Sequence, residues 1–341
     1  MLWLVARRPF RQSWGMRFRP RRFVAACLLI VIAVLLVWDG VQLSVGSYDR
    51  LTRVAPDCGG AYQYNTPALF VAGVDTARYA MPTYSEVRFS SRDWGVAIDA
   101  WWVPAADPNA PVVILAHGLG ECKRAPSVLL PAGMLHRHGF GVLLIDLRDE
   151  GSSTVDTGRM TGGAGEARDI LGAWDWLRTD RHIPAARIGL FGVSLGAGAA
   201  ILAMGQEPEV AATWEDSGYA DLVQTLRYQE AARGWPLQIV DVAVGVARLR
   251  SADFTTRPVD ALAKLAGRPI ALIAGEADEL VPFEQAQQLI TAAAAHGKAT
   301  VWTLPGVGHV GAMGRDPAEY ERRLVAFFDG SLGGTAPALP G

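Results

Sequence analysis

The chain has 341 residues, half of them hydrophobic and 19% charged, with a formal net charge of −2. That is enough for one large domain with an appendage and a sizeable core, and the balance gives no electrostatic footprint for nucleic acid. Three cysteines are too few for a disulfide framework. No Cys/His cluster has metal-ligand spacing and there is no glycine-rich phosphate loop, so neither a metal nor a cofactor is expected.

Residues 1–22 hold seven arginines and no acid, and positions 23–38 are apolar throughout. That run is a little short of the ~20 residues that cross a bilayer. Beyond Asp39, residues 40–46 extend it at the interface, so 23–46 reads as a transmembrane anchor. Arginines on one flank, against Asp39 and Asp49 near the other, put the basic tail in the cytoplasm and the rest of the chain outside. A cleaved signal peptide is the competing reading, because Ser44-Val45-Gly46 is a small-x-small site. A buried helix of a soluble domain would show an amphipathic pattern, and none is visible. Cys58 and Cys122 fall in the exported part, where a bond is permitted. Their separation is not written in the sequence, and two free thiols are expected.

Residues 47–82 carry Pro, Gly, Tyr and Asn without a period and read as a linker. Segments 84–90 and 96–103 look like strands joined by a hairpin turn over 91–95. The run 111–116 (PVVILA) is continuously apolar, as in a parallel strand buried on both faces. It ends in His117-Gly118-Leu119-Gly120, and a helix is expected over 125–136. The strand 141–145 ends in Asp146-Leu147-Arg148-Asp149-Glu150-Gly151-Ser152. Ile170, Trp174 and Leu177 repeat at helical spacing within 165–179. Residues 187–200 begin as a strand, break into Gly192-Val193-Ser194-Leu195-Gly196, and continue into small, helix-compatible residues. A strand over 210–214 follows. Segment 218–266 has helical fragments and the size of an inserted cap. Then come a strand at 269–274, a helix at 283–296, a strand at 300–304 and a terminal helix at 317–328. The Gly/Pro/Ala-rich tail 330–341 is expected to be disordered.

Alternating strands and helices predict an α/β fold over 83–329, with a doubly wound, mainly parallel sheet and a small helical cap. Ligands in such sheets bind beyond the C-terminal ends of the strands, where every motif above falls. A Gly-x-Ser-x-Gly string is weak by itself. Its strand–turn–helix setting is that of a nucleophile elbow, with Ser194 at the apex and the Leu195 N–H at a helix N-terminus, where the backbone dipole favours an oxyanion. An acid and a base must then follow. The acid is Asp278, after the strand 269–274, with Asp216 as the other candidate. Of six histidines, only His309 comes late and in a glycine-rich loop. Ser194 is a poor nucleophile until His309 takes its proton, and Asp278 would orient the ring and stabilise the imidazolium. Leu119 is the candidate for the second oxyanion N–H, beside Leu195.

Between about 84 and 328 the chain resembles the α/β-hydrolase superfamily. Within it, the chain is similar to bacterial single-pass-anchored serine hydrolases related to prolyl-oligopeptidase-type and acyl-ester hydrolase domains. The carrying residues are His117-Gly118, Asp146-Leu147-Arg148 with Gly151 and Ser152, Gly192 to Ala197, Asp216-Ser217, Gly275 with Asp278, Val281-Pro282 and Gly308-His309. Asp149 stands where the family usually has Gly, and Gly218 where it often has Pro. With the export expected from the arginine asymmetry, the resemblance implies an extracytoplasmic serine hydrolase that cleaves a carboxylic ester or related acyl bond of a small-molecule substrate through an acyl-Ser194 intermediate, and it supports a loop-fixing role for Asp216. A peptidase on the same triad is the nearest alternative, disfavoured because only about forty residues of cap are available. A catalytically silent tethered binding protein is the other. Lys123 and Arg124 are candidates for attracting an anionic substrate, against the plainer reading of solvated charges. Trp235, Leu237 and Ile239 are candidates for walling an acyl pocket, against plain cap packing.

Overall fold

The computed structural model describes residues 20–54, 58–60, 62–250 and 252–333. Most of the basic segment (1–19) and the end of the tail (334–341) lie outside the described residues. The chain divides between Leu43 and Ser44 into two units. In the first, helix α1 (Pro20–Thr52, continuing into the second unit) exposes every side chain from 23 to 43. An 18-residue window of it has a mean hydropathy of 2.7. It is one helix long and apolar enough to cross a membrane.

The second unit carries β1 (Ser85–Ser90), β2 (Ala97–Val103), β3 (Val112–Ala116), α2 (Pro126–Arg137), β4 (Gly141–Ile145), α3 (Ala164–Thr179), β5 (Ile188–Val193), α4 (Leu195–Gln206) and β6 (Ala212–Asp216). Then follow α5 (Leu222–Ala232), α6 (Gln238–Leu249), α7 (Pro258–Ala261), β7 (Pro269–Gly275), α8 (Phe283–His296), β8 (Lys298–Leu304), α9 (Ala312–Arg315) and α10 (Pro317–Leu332). The strands form one sheet in the order β1-β2-β4-β3-β5-β6-β7-β8. Strand β2 is antiparallel to both neighbours and every other pairing is parallel. This is the α/β-hydrolase fold.

Strands β3 to β6 are buried at every position, which is why β3, β4 and β5 read as runs without a polar residue, whereas β6 ends in the buried carboxyls of Glu215 and Asp216. Their alternation still sorts the side chains. Val112, Ile114, Leu143 and Ile145 join the core under α3, α4 and α8, whereas Val113, Leu115, Val142 and Leu144 join the core under α2 and α10. Helices α5 and α6 form the cap within the expected 218–266.

Two boundaries and one cysteine pairing differ from the sequence reading. Residues 47–82 are not a loose linker. Their first six belong to the last turns of α1, and Phe70, Tyr79 and Met81 are buried against the core. Gly133 of α2 comes so close to Tyr79 that a Cβ would stand 2.4 Å from its carbonyl oxygen. Cys58 and Cys122 are not free thiols but a disulfide, with Cα atoms 5.3 Å apart. Closing the 64-residue separation between them stabilises the fold by about 4 kcal/mol in a chain-entropy view. At the other end, α10 runs through Gly330 because Leu332 is still buried, facing Gly189 of β5, and Gly333 in the left-handed region stops the helix.

Candidate active site

Ser194 sits at the junction of β5 and α4 with φ 53° and ψ −116°, a conformation that costs a non-glycine residue about 1–3 kcal/mol. The surroundings impose it. A Cβ on Gly192 would lie 2.3 Å from the carbonyl oxygen of Gly196, and one on Gly196 would lie 2.5 Å from those of Ala116 and His117. Only two glycines let strand, turn and helix pass this closely. The Ser194 N–H donates to the Asp216 carbonyl at 2.9 Å, and the Ser194 carbonyl accepts from Ala197 and Gly198. The hydroxyl is thereby presented at the C-terminal edge of the sheet.

Asp278 follows β7 and His309 follows β8, and these two strands are paired. Their loops meet above the elbow. Asp278 Oδ2 lies 2.7 Å from His309 Nδ1, and His309 Nε2 lies 2.9 Å from Ser194 Oγ. The other carboxylate oxygen of Asp278 accepts the N–H groups of Leu280 and Val281, both at 2.8 Å. So the structure brings together the serine, the acid and the histidine expected from the sequence. Such a line can take a proton from a hydroxyl and return it to a leaving group.

Asp216 does not touch His309. Its two oxygens accept from the hydroxyls of Tyr320, at 2.9 Å, and Ser217, at 3.0 Å. Ser217 Oγ in turn accepts the N–H of Val310 at 3.0 Å, next to the histidine. Asp216 thus fastens the histidine loop. Its buried neighbour Glu215 accepts the Gly218 N–H at 2.8 Å, a donor that a proline at 218 would lack. Burial pushes the Glu215 carboxyl up to about 8 from its ordinary 4.5. The folded state then keeps a proton that the unfolded chain releases, so stability from this group falls as pH rises between those values. Glu215→Gln should therefore gain on the wild type by up to about 4 kcal/mol between pH 5 and pH 8. Urea unfolding of both proteins at the two pH values checks this, and a constant difference would refute it.

Leu119 and Leu195 both border the pocket over Ser194. Leu195 opens α4, so its N–H has no acceptor inside the helix. The Leu119 loop is held from behind. Buried, neutral His117 donates Nδ1–H to the Gly118 carbonyl at 2.8 Å and accepts the Leu147 N–H on Nε2 at 3.0 Å, its pKa lowered by burial. The Gly118 N–H donates to Glu121 at 3.1 Å and the Gly120 N–H to Glu150 at 2.6 Å. The sequence offered no signal for these two carboxylates beyond their place in the strand-end loops. Nor does Lys123 attract anions. It is 1% exposed and its ammonium is paired with Asp99 and Asp146. Arg124 is occupied as well, donating to the Asn65 carbonyl at 3.0 Å. Asp149, in place of the family's glycine, takes φ 66°. Its carboxylate accepts the N–H groups of Asp156, Thr157 and Gly158, which fixes the turn.

The pocket encloses about 380 Å³. From the cap it takes Leu222, Thr225, Leu226 and Gln229 of α5. Trp235 and Leu237 are instead exposed at the cap surface, and Ile239 is buried in it. Among the described residues, no group of three or more His, Cys, Asp or Glu side chains is placed to hold a metal ion.

A family model described as the prolyl oligopeptidase family matches residues 130–335, more than half of the chain. The chain belongs to the prolyl oligopeptidase family. That match and the fold together make it a hydrolase of the α/β type. An uncharacterized protein of Mycobacterium tuberculosis is 28% identical over 304 residues, covering 87% of this chain and 92% of its own. A thiohydrolase of Aspergillus aculeatus is 28% identical over 162 residues, 44% of this chain and 49% of its own. Among solved structures, an esterase of Pyrococcus furiosus superposes with a TM-score of 0.61 at 23% identity, covering 79% of this chain and 100% of that one. A dienelactone hydrolase of Anabaena variabilis gives 0.54 at 20% identity, covering 74% and 99%. At these identities the two structures speak for the fold.

Proposed function

We propose that this family member is a serine hydrolase that cleaves a carboxylic ester or related acyl bond through an acyl-Ser194 intermediate. The observation that carries the reading is the unbroken hydrogen-bonded line from Asp278 through His309 to Ser194, ending in a pocket bordered by Leu119 and Leu195. Ser194 Oγ attacks the carbonyl carbon while its proton passes to His309 Nε2. The oxyanion is met by the N–H groups of Leu119 and Leu195. Loss of either such donor typically costs ~3 kcal/mol of transition-state stabilisation. The tetrahedral species collapses as His309 returns the proton to the leaving alkoxide. A water molecule, deprotonated by the same nitrogen, then releases the acid and regenerates Ser194. The test is covalent: a fluorophosphonate probe should label the wild type and leave Ser194→Ala unlabelled. A folded wild type that takes up no probe and turns over no ester would instead be the silent binding protein.

Esters are favoured over peptides by the cap, which is two helices on a pocket of modest volume rather than a separate domain that admits a chain.

The proposed location is the cell membrane, with the N-terminus cytoplasmic and the hydrolase unit outside. The apolar helix supports the anchor, and the Cys58–Cys122 disulfide supports an oxidising compartment. A reporter fused after Gly341 should read as exported, with the protein retained on membranes after a salt wash. Release as a soluble protein with a new N-terminus near Ser47 would favour the cleaved signal peptide.

A further inference from the structure

One wall of the pocket comes from neither the sheet nor the cap. Leu51, in the last turn of α1, borders the cavity over Ser194 together with Met160, Leu222 and Leu226, and is itself 8% exposed. The turns that carry Leu51 are fastened on several sides. Arg50 pairs with Glu230 of α5 at 2.8 Å, and Asp49 pairs with Arg159 and Arg250, each at 3.1 Å. The Tyr48 ring stacks on Phe254 at 6.2 Å, and the Met160 N–H donates to the Thr52 carbonyl at 2.9 Å. The Glu230 carboxylate is wholly buried between Arg50 and Arg233. Losing Arg50 would leave that buried charge half-compensated, so these turns cannot lift away without a large penalty.

We propose that Leu51 is a specificity-determining residue: the last turn of α1 sets how long an aliphatic acyl group the site accepts. This rests on the serine-hydrolase reading. The apolar side chains around the cavity fit a hydrocarbon chain. Its volume is near the lower end of the range for pockets that hold small organic ligands, which suits a medium-length chain over a long one. Each buried methylene is worth about fourfold in kcat/KM, so a side chain that blocks even two of them leaves a clear mark. An indole at position 51 projects further into the cavity than the isobutyl group, and a methyl group withdraws from it.

The experiment uses the full chain in detergent micelles, with p-nitrophenyl acetate, octanoate and dodecanoate as substrates. Leu51→Trp should lower the octanoate-to-acetate ratio of kcat/KM at least tenfold. Leu51→Ala should raise the dodecanoate-to-octanoate ratio about threefold or more. Fluorophosphonate labelling of Ser194 reports whether each variant is folded, and if Leu51→Trp is not, the alanine variant decides alone. Ratios within twofold of wild type in the folded variants would overturn the proposal. Failure of the underlying reading looks different: wild type would neither label nor hydrolyse any of the three esters, or Ser194→Ala would stay active, and the proposal would fall with it.

Discussion

Ser194→Ala should reduce hydrolysis of short p-nitrophenyl esters to background, a loss of about 10⁶-fold if other serine triads are a guide. The Oγ is the atom that bonds to the carbonyl carbon, and Ala leaves His309 Nε2 with nothing to deprotonate but water. The loss should not come from unfolding. Alanine has the same Cβ as serine and fits the backbone at φ 53° at the same cost. The turn is held by main-chain bonds to Asp216, Ala197 and Gly198, and by the close passage at Gly192 and Gly196. Circular dichroism and thermal unfolding should therefore match the wild type. A variant that keeps a tenth of wild-type turnover would remove Ser194 from the mechanism.

Asp278→Asn should lower kcat by roughly 10⁴-fold, far more than Asp216→Asn. The reason lies in which oxygen is already committed. Oδ1 of Asp278 accepts two main-chain N–H groups, from Leu280 and Val281. An asparagine keeps its carbonyl oxygen on those donors and turns its NH₂ toward His309. Nδ1 must then accept instead of donate. The ring proton moves to Nε2, which can no longer act as the base toward Ser194. Asp216 holds hydroxyls, not the imidazole. Asparagine there disturbs a buried network worth about 1–3 kcal/mol, so the effect should appear in thermal stability, with kcat within about tenfold of wild type. Side-by-side kinetics and melting curves decide the matter. If Asp216→Asn is the inactive protein and Asp278→Asn is nearly normal, the acid is Asp216.

The sheet was legible because β3, β4 and β5 are buried on both faces and so read as short apolar runs closed by glycine or acidic loops. The line of Ser194, Asp278 and His309 was legible because each follows a strand, in an order that few other arrangements share. What escaped reading is non-local and lacks a period. Cys58 and Cys122 are 64 residues apart, and no pattern between them announces that they meet. Phe70, Tyr79 and Met81 are apolar residues in an irregular segment without a period, yet each is buried in the core. Lys123 looks like surface charge in the sequence. Only the placement of Asp99 on β2 and Asp146 after β4 shows that it is buried. The cap misled in a similar way. Trp235 and Leu237 are the conspicuous apolar residues of its loop, yet Leu222 and Leu226, one turn apart on α5, face the cavity.

The way the segment before β1 is built in decides where the enzyme can be cut. A soluble form made by deleting the apolar helix would, on sequence grounds, begin near residue 83. Such a chain would lack Arg50 and leave Glu230 buried with one guanidinium fewer. It would open the cavity where Leu51 stood, strip Tyr79 from the face of α2 and remove Met81 from the core. Cys122 would become a lone thiol beside the Leu119 loop. A cut that keeps these contacts falls before the first buried turn of α1, around Ser44, where the molecule divides between Leu43 and Ser44.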